Sequence, residues 1–194
     1  MQSMNDLMHH FLQDMYYAEK LGVKSMAKMV KAVENDELKQ AIVAHREQTQ
    51  TQVERLEQVF ESIGKRPKGK SCAAMEGLVE EGEDAVEESE KGPVLDAALI
   101  ACGQAIEHYE IARYGTMVAW AKQMGNTQAQ KLLQEILDEE KANDVLMTEI
   151  AERVLNPEAA ESGEEDDDEG DEGEDESPEE DPKAEAKPKR KAKK

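Results

Sequence analysis

Glu19, His45, Glu107, Glu110, Glu140 and Asp144 all fall inside the apolar stripes of segments that read as amphipathic helices. A carboxylate in such a stripe is out of place, because taking it out of water costs several kcal/mol unless a partner or a cation compensates it. One such residue is an accident of register, whereas sets of them in four separate helices point to a shared cation. Glu107 and Glu110 at i, i+3, and Glu140 and Asp144 at i, i+4, lie one above the other on their helix faces, the spacing at which two side chains reach one centre. Carboxylates with a single imidazole suit iron or manganese, while a structural zinc or soft-metal site would call for thiolates. In a bundle holding two iron or manganese ions, carboxylates bridge between the metals and an imidazole caps one of them.

The elements that must position these groups are legible from spacings of three and four. A first helix, from about Asn5 to Val33, carries Leu12, Met15, Glu19, Val23, Met26 and Val30. A second follows the break at Asn35-Asp36, carries Leu38, Ile42, His45, Thr49, Val53, Leu56 and Phe60, and is closed by Gly64. Gly92-Pro93 opens a third, with Ile100, Gly103, Glu107, Glu110, Tyr114 and Met117 on one face. Gly125-Asn126 opens a fourth, with Leu133, Ile136, Glu140, Asp144, Met147 and Ala151, and Asn156-Pro157 is expected to end it. The first and last pairs are joined by short turns, but the middle connection needs about 30 residues, and its stretch from Cys72 to about Glu90 reads as a short extra helix. That layout is an all-α four-helix bundle with one long crossover. Laid on each other as a diverged repeat, the two hairpins place Glu19 opposite Glu107, His45 opposite Glu140 and Thr49 opposite Asp144.

Composition divides the 194 residues into a body, 1–156, and a tail, 157–194. The tail has 17 acidic and 7 basic residues, first an acidic block and then a lysine-rich end, and almost nothing apolar to bury, so it is expected to be disordered. The body remains acidic, which argues against nucleic-acid binding by the folded part, since phosphate contacts require a basic face. The chain has no apolar run long enough to span a membrane, and its first residues lack a basic segment followed by an apolar one. Cys72 and Cys102 form no CxxC and read as reduced thiols; together these features lead us to expect a cytoplasmic protein.

The runs LQDMYYAEKL, AHREQTQTQVERLEQVF, CAAMEGLVEEG, AIEHYEIARYGTMVAWAKQMG and LLQEILDEEKANDVL resemble the YciE/YciF-like bacterial stress proteins of the ferritin-like superfamily, over about residues 4–156. The resemblance implies a ferritin-like bundle, assembled as a homodimer, with a dimetal centre and a role in stress physiology. Carried over by position, it assigns Glu19, His45, Glu107, Glu110, Glu140 and Asp144 as the ligands. The chain departs from the usual di-iron pattern, which has Glu-x-x-His on two helices: no glutamate stands three residues before His45, and the fourth helix offers Asp144 but no histidine.

Blander readings stand beside these. His45 alone would read as a hydrogen-bonded core histidine, and His108 turns away from the ligand face. Tyr17, Tyr109 and Tyr114 could donate to ligands or simply pack, Glu80 and Glu81 read as a solvated face, and the methionine stripes as core. Three functional classes follow: a metal-handling bundle in which two iron or manganese ions oxidise ferrous iron or consume dioxygen or peroxide; a non-catalytic stress protein acting through dimerisation and its charged tail; and a bundle whose polar set only fixes register.

Overall fold

A computed structural model describes residues 1–164. Among them all regular elements are helical: α1 (Met4–Ala32), α2 (Asp36–Ser62), α3 (Ala73–Glu88), α4 (Pro93–Gln123), α5 (Thr127–Ile150), a π-helical turn (Ala151–Leu155) and α6 (Asn156–Glu164). The four long helices α1, α2, α4 and α5 form a bundle, with α1 on α2, α4 on α5, α2 on α5 and α1 on α4. The crossover from α2 to α4 carries α3, which packs on α4 and α1. This is the four-helix bundle with one long crossover read from the spacings, and the ferritin-like fold that the resemblance implies.

The punctuation residues work as their chemistry requires. Asn35 accepts from the Glu37 and Leu38 amides, and Asn126 from the Ala129 amide, so each supplies acceptors for otherwise unpaired first-turn donors. Gly64 and Gly125 sit at φ 69° and 68°, left-handed values that glycine adopts without strain. At both, the paired bonds of a Schellman end close the helix: Lys65 to Phe60 with Gly64 to Glu61, and Asn126 to Ala121 with Gly125 to Lys122. Asn126 also donates from Nδ2 to Ser62 Oγ at 3.0 Å, tying the start of α5 to the end of α2.

The expected stop at Asn156-Pro157 does not occur. The Asn156 amide reaches back to the Ala151 carbonyl, a five-residue π bond, and the chain continues as α6. The widened turn puts Pro157 at the start of the new segment, where its missing N–H and fixed φ cost nothing. Helix therefore extends to Glu164, beyond the expected end of the body; the expected disorder of the remaining tail, 165–194, concerns residues outside those described.

The apolar core comes in two pieces. One, at the α2–α3 end, contains Leu12, Met15, Leu56, Phe60, Tyr114, Met117, Leu133 and Ile136. The other, at the α1–α2 turn, contains Val33, Leu38, Ile42, Leu95, Leu99, Ile100, Ile150 and Leu155. Asp96, only 1% exposed, fastens that second end: its two carboxylate oxygens accept from the Glu34 amide at 3.1 Å and the Asn35 amide at 2.7 Å. Replacing Asp96 by Ala removes the acceptor of two part-buried amides at once, and urea unfolding is expected to show a loss of about 1–3 kcal/mol, while Asp96→Asn, which keeps one acceptor, loses less.

Candidate metal centre

Between the two apolar cores lies a charged layer. Glu19 of α1, His45 of α2, Glu107 and Glu110 of α4 and Glu140 of α5 are all buried, none more than 8% exposed. Each stands near the middle of its helix, so antiparallel neighbours bring them to one level. Donor atoms of His45, Glu107 and Glu140 lie within 4.8 Å of one another, and so do those of Glu19, Glu110 and Glu140. Glu140 thus belongs to both groups. His45 Nε2 is 3.1 Å from Glu107 Oε1 and 3.8 Å from the nearer Glu140 oxygen.

Neighbouring side chains hold part of this set in place. Tyr114, fully buried, donates its hydroxyl to Glu19 Oε1. Asn143 Nδ2 donates to Glu107 Oε1 at 2.9 Å, and Gln48 Oε1 stands 3.5 Å from His45 Nδ1. Three further carboxylate oxygens are not satisfied: Glu107 Oε2 and both oxygens of Glu140 are buried without a hydrogen-bond partner. Such orphans are rare, since an unpaired buried acceptor costs about 1–3 kcal/mol and more when charged. Asp96 shows the ordinary solution, a buried carboxylate with both oxygens paired to backbone amides. Glu140 has no such partner, and it is common to both donor groups. With four carboxylates ionised and His45 neutral the layer carries four negative charges, the number that two divalent cations balance. Hard oxygen donors with one imidazole fit iron or manganese.

Without a cation the layer relieves its repulsion by taking up protons. Burial pushes the Glu19 carboxyl up to about 7, against the downward pull of the Tyr114 hydrogen bond and of His45. Burial, then the charges of neighbouring glutamates, raises Glu110 and Glu140 well above the ordinary carboxylate range. Burial disfavours the His45 imidazolium, but the contact with Glu107 and the charges of Glu107 and Glu19 outweigh it and raise the ring.

Five of the six expected ligands meet in this layer, and Asp144 does not. It is partly exposed, on the edge of α5 that faces α4, where it accepts from Gln104 Nε2 at 3.1 Å and lies 3.3 Å from His108 Nε2. The reason is angular. From Glu140, i+3 and i+4 diverge to opposite sides of one stripe, and the packing of α5 against α2 and α4 turns position 143 inward. Asn143, which the spacing argument passed over, is therefore the residue beneath Glu140 in the core. Nor does the repeat alignment describe contacts: Glu19 is grouped with Glu110 rather than with Glu107. Thr49 donates to the His45 carbonyl of its own helix, His108 is largely exposed, and Glu80 and Glu81 face solvent, as read from their positions. Tyr17 bonds to Glu76 and Tyr109 to Cys72, so of the three tyrosines only Tyr114 touches the layer.

A family model described as a domain of unknown function, DUF892, matches residues 3–160. The chain belongs to this family. It is 46% identical over 160 residues to protein YciF of Escherichia coli K12, covering 82% of this chain and 96% of that one. The crystal structure described as that of the E. coli stress protein YciF superposes with a TM-score of 0.77 at 46% identity, over 80% of this chain and 99% of the other. YcfI from Rhodopseudomonas palustris matches at 46% identity with a TM-score of 0.73, over 76% and 94% of the two chains. A protein from Xanthomonas campestris, at 22% identity and a TM-score of 0.66 over 84% and 99%, shares the fold. The resemblance read from the sequence motifs is thereby established, and the matched span runs past Asn156 into α6.

Raised folded-state values for Glu19, Glu110, Glu140 and His45 set the sign of a pH effect. Each contributes stability that is complete below its unfolded value, 4.5 for the carboxyls and 6.5 for the ring, and that is lost as pH rises through the folded value. With chelator present, the urea midpoint is expected to fall from about pH 5 to about pH 8, the share due to Glu19 being lost between about 4.5 and about 7 and levelling off above that, and Glu140→Gln to flatten the curve. A midpoint indifferent to pH would contradict this.

Proposed function

We propose that the chain is a stress-response protein that binds two ions, iron or manganese, in the layer between its cores. Glu19 and Glu110 would hold one ion and His45 and Glu107 the other, with Glu140 available to both. One observation carries this reading: Glu140 is fully buried, both of its oxygens lack partners, and it is common to both donor groups. The stress role is supported by likeness to the protein described as the E. coli stress protein YciF. A homodimer in the cytoplasm belongs to the same proposal.

The residues divide the work. Tyr114 holds Glu19 Oε1 and Asn143 holds Glu107 Oε1, so each has one oxygen oriented before a cation arrives. Leu99 and Ile100 on one side, and Tyr114 and Met117 on the other, keep bulk water from the layer and strengthen every charge interaction in it. The chemistry such a metal pair supplies when bound is electron exchange with ferrous iron, dioxygen or peroxide.

Protein purified without a tag is expected to carry about two equivalents of iron or manganese, falling below one in Glu140→Ala and to about one in His45→Ala or Glu110→Ala. Asp144→Ala is expected to keep both, because its side chain lies outside the layer. Oxygen or peroxide consumption on adding ferrous iron tests turnover. Protein that folds normally and takes up no metal after aerobic loading with ferrous iron would leave the polar layer as a register device. A stress phenotype lost on deleting residues 165–194 with metal content intact would favour the non-catalytic alternative, in which dimerisation and the charged tail act.

A further inference from the structure

We propose that divalent cations reach the buried layer through the groove between α2 and α5, passing His45, with Gln48, Glu139 and Asn143 standing in for the water the ion sheds. The inference rests on the metal reading above and adds the route.

Two spaces meet at this layer. Inside is a cavity of about 50 Å³, bordered by Glu19, His45, Glu107 and Glu110. At roughly 10–15 Å³ for each water-sized guest it has room for a few, enough for ions with residual water. Outside is a surface groove of about 300 Å³ between α2 and α5. Ala41, His45 and Asn143 line both. The partition between solvent and the charged layer at this point is therefore one side chain thick, and its movable parts are an imidazole and an amide.

The wall chemistry separates this route from the other side of the cavity. There the lining is Met26, Met29, Leu99, Ile100 and Met147, hydrocarbon and thioether against which a hydrated cation would lose its shell uncompensated, with the Ser25 hydroxyl as a lone polar group. A second groove of about 230 Å³, carrying Glu83 and Glu87, shares only Ser25 and Met29 with the cavity and no residue of the charged layer. The groove offers oxygen and nitrogen donors in sequence from solvent inward. Glu139 stands at the mouth, its Oε2 fixed by Arg55 at 2.6 Å and by Gln52 at 3.0 Å. Gln48 Oε1 lies next, 3.5 Å from His45 Nδ1, and His45 Nε2 faces Glu107 and Glu140 on the inner side. Beyond the partition wait the unpartnered oxygens of Glu107 and Glu140. Ala44 and Ala142 keep the groove open, because each places only a methyl group at its position, and Leu146 of α5 is the one large apolar side chain on the wall.

Cobalt(II), followed by its visible absorbance after stopped-flow mixing with metal-free full-length protein, reads the route directly. Ala44→Phe and Ala142→Phe roof the groove from exposed positions without touching a proposed ligand. Each is expected to slow uptake at least tenfold with the final cobalt content unchanged, while Ala44→Ser loads at the wild-type rate. Gly103→Ala narrows the apolar side, where a new Cβ would come within 3.1 Å of Met147 Sδ, and is expected to load within twofold of wild type. Phenylalanine variants that load at the wild-type rate, or a Gly103→Ala slowed as much as they are, overturn the route and leave the metal site standing. Wild-type protein that takes up no cobalt overturns the metal reading and the route with it.

Discussion

Burial of a charged layer between two apolar cores is the constraint on which this bundle depends. Glu19, His45, Glu107, Glu110 and Glu140 occupy a level that an ordinary helical protein would fill with leucine, and the hydrocarbon above and below cannot solvate them. The separate cores must therefore supply enough apolar burial to hold the layer together, and the helices must keep a register that brings residues from four chain segments to one height. The ends of the helices set that register. Asp96 pins the α1–α2 turn, Asn126 links the α5 start to Ser62, and Gly64 and Gly125 stop α2 and α4 where the next segment must leave.

Two buried carboxylates in one molecule show how a satisfied and an unsatisfied acid differ. Asp96 and Glu140 are equally inaccessible, and both come from helices rich in apolar residues. Asp96 meets two backbone amides, the arrangement that makes a buried carboxylate stable by itself. Glu140 meets other carboxylates and an imidazole, an arrangement that is stable only with added positive charge, either protons or metal ions. With no other positive charge these oxygens take up protons, which links the stability of the protein to pH.

The layer is also asymmetric. Toward the α1–α2 turn its cavity is walled by methionine, leucine and isoleucine, whereas toward the α2–α5 surface it is closed by His45 and Asn143. A charged guest and an apolar guest would thus meet different walls at the same centre. The π turn at Ala151–Leu155 lets the chain pass Pro157 and continue as α6 against α4, beside the second core.

Most of the fold was written in local chemistry: apolar residues at spacings of three and four, Asn35 and Asn126 as caps, Gly64 and Gly125 as stops, and a middle connection too long for a simple hairpin. The same periodicity picked out Glu19, His45, Glu107, Glu110 and Glu140, because an acid within an apolar stripe is visible without coordinates. Periodicity resolves a helix face only to within about one residue, since i+3 and i+4 both lie within 60° of the starting side chain. The choice of Asn143 over Asp144 was therefore made by the rotation of α5 against α2 and α4, which no property of α5 alone contains. The grouping of Glu19 with Glu110, the shared position of Glu140, the pairing of Asp96 with a turn 61 and 62 residues away, and the thin wall at His45 were likewise decided by packing, because each is a distance between segments remote in the chain.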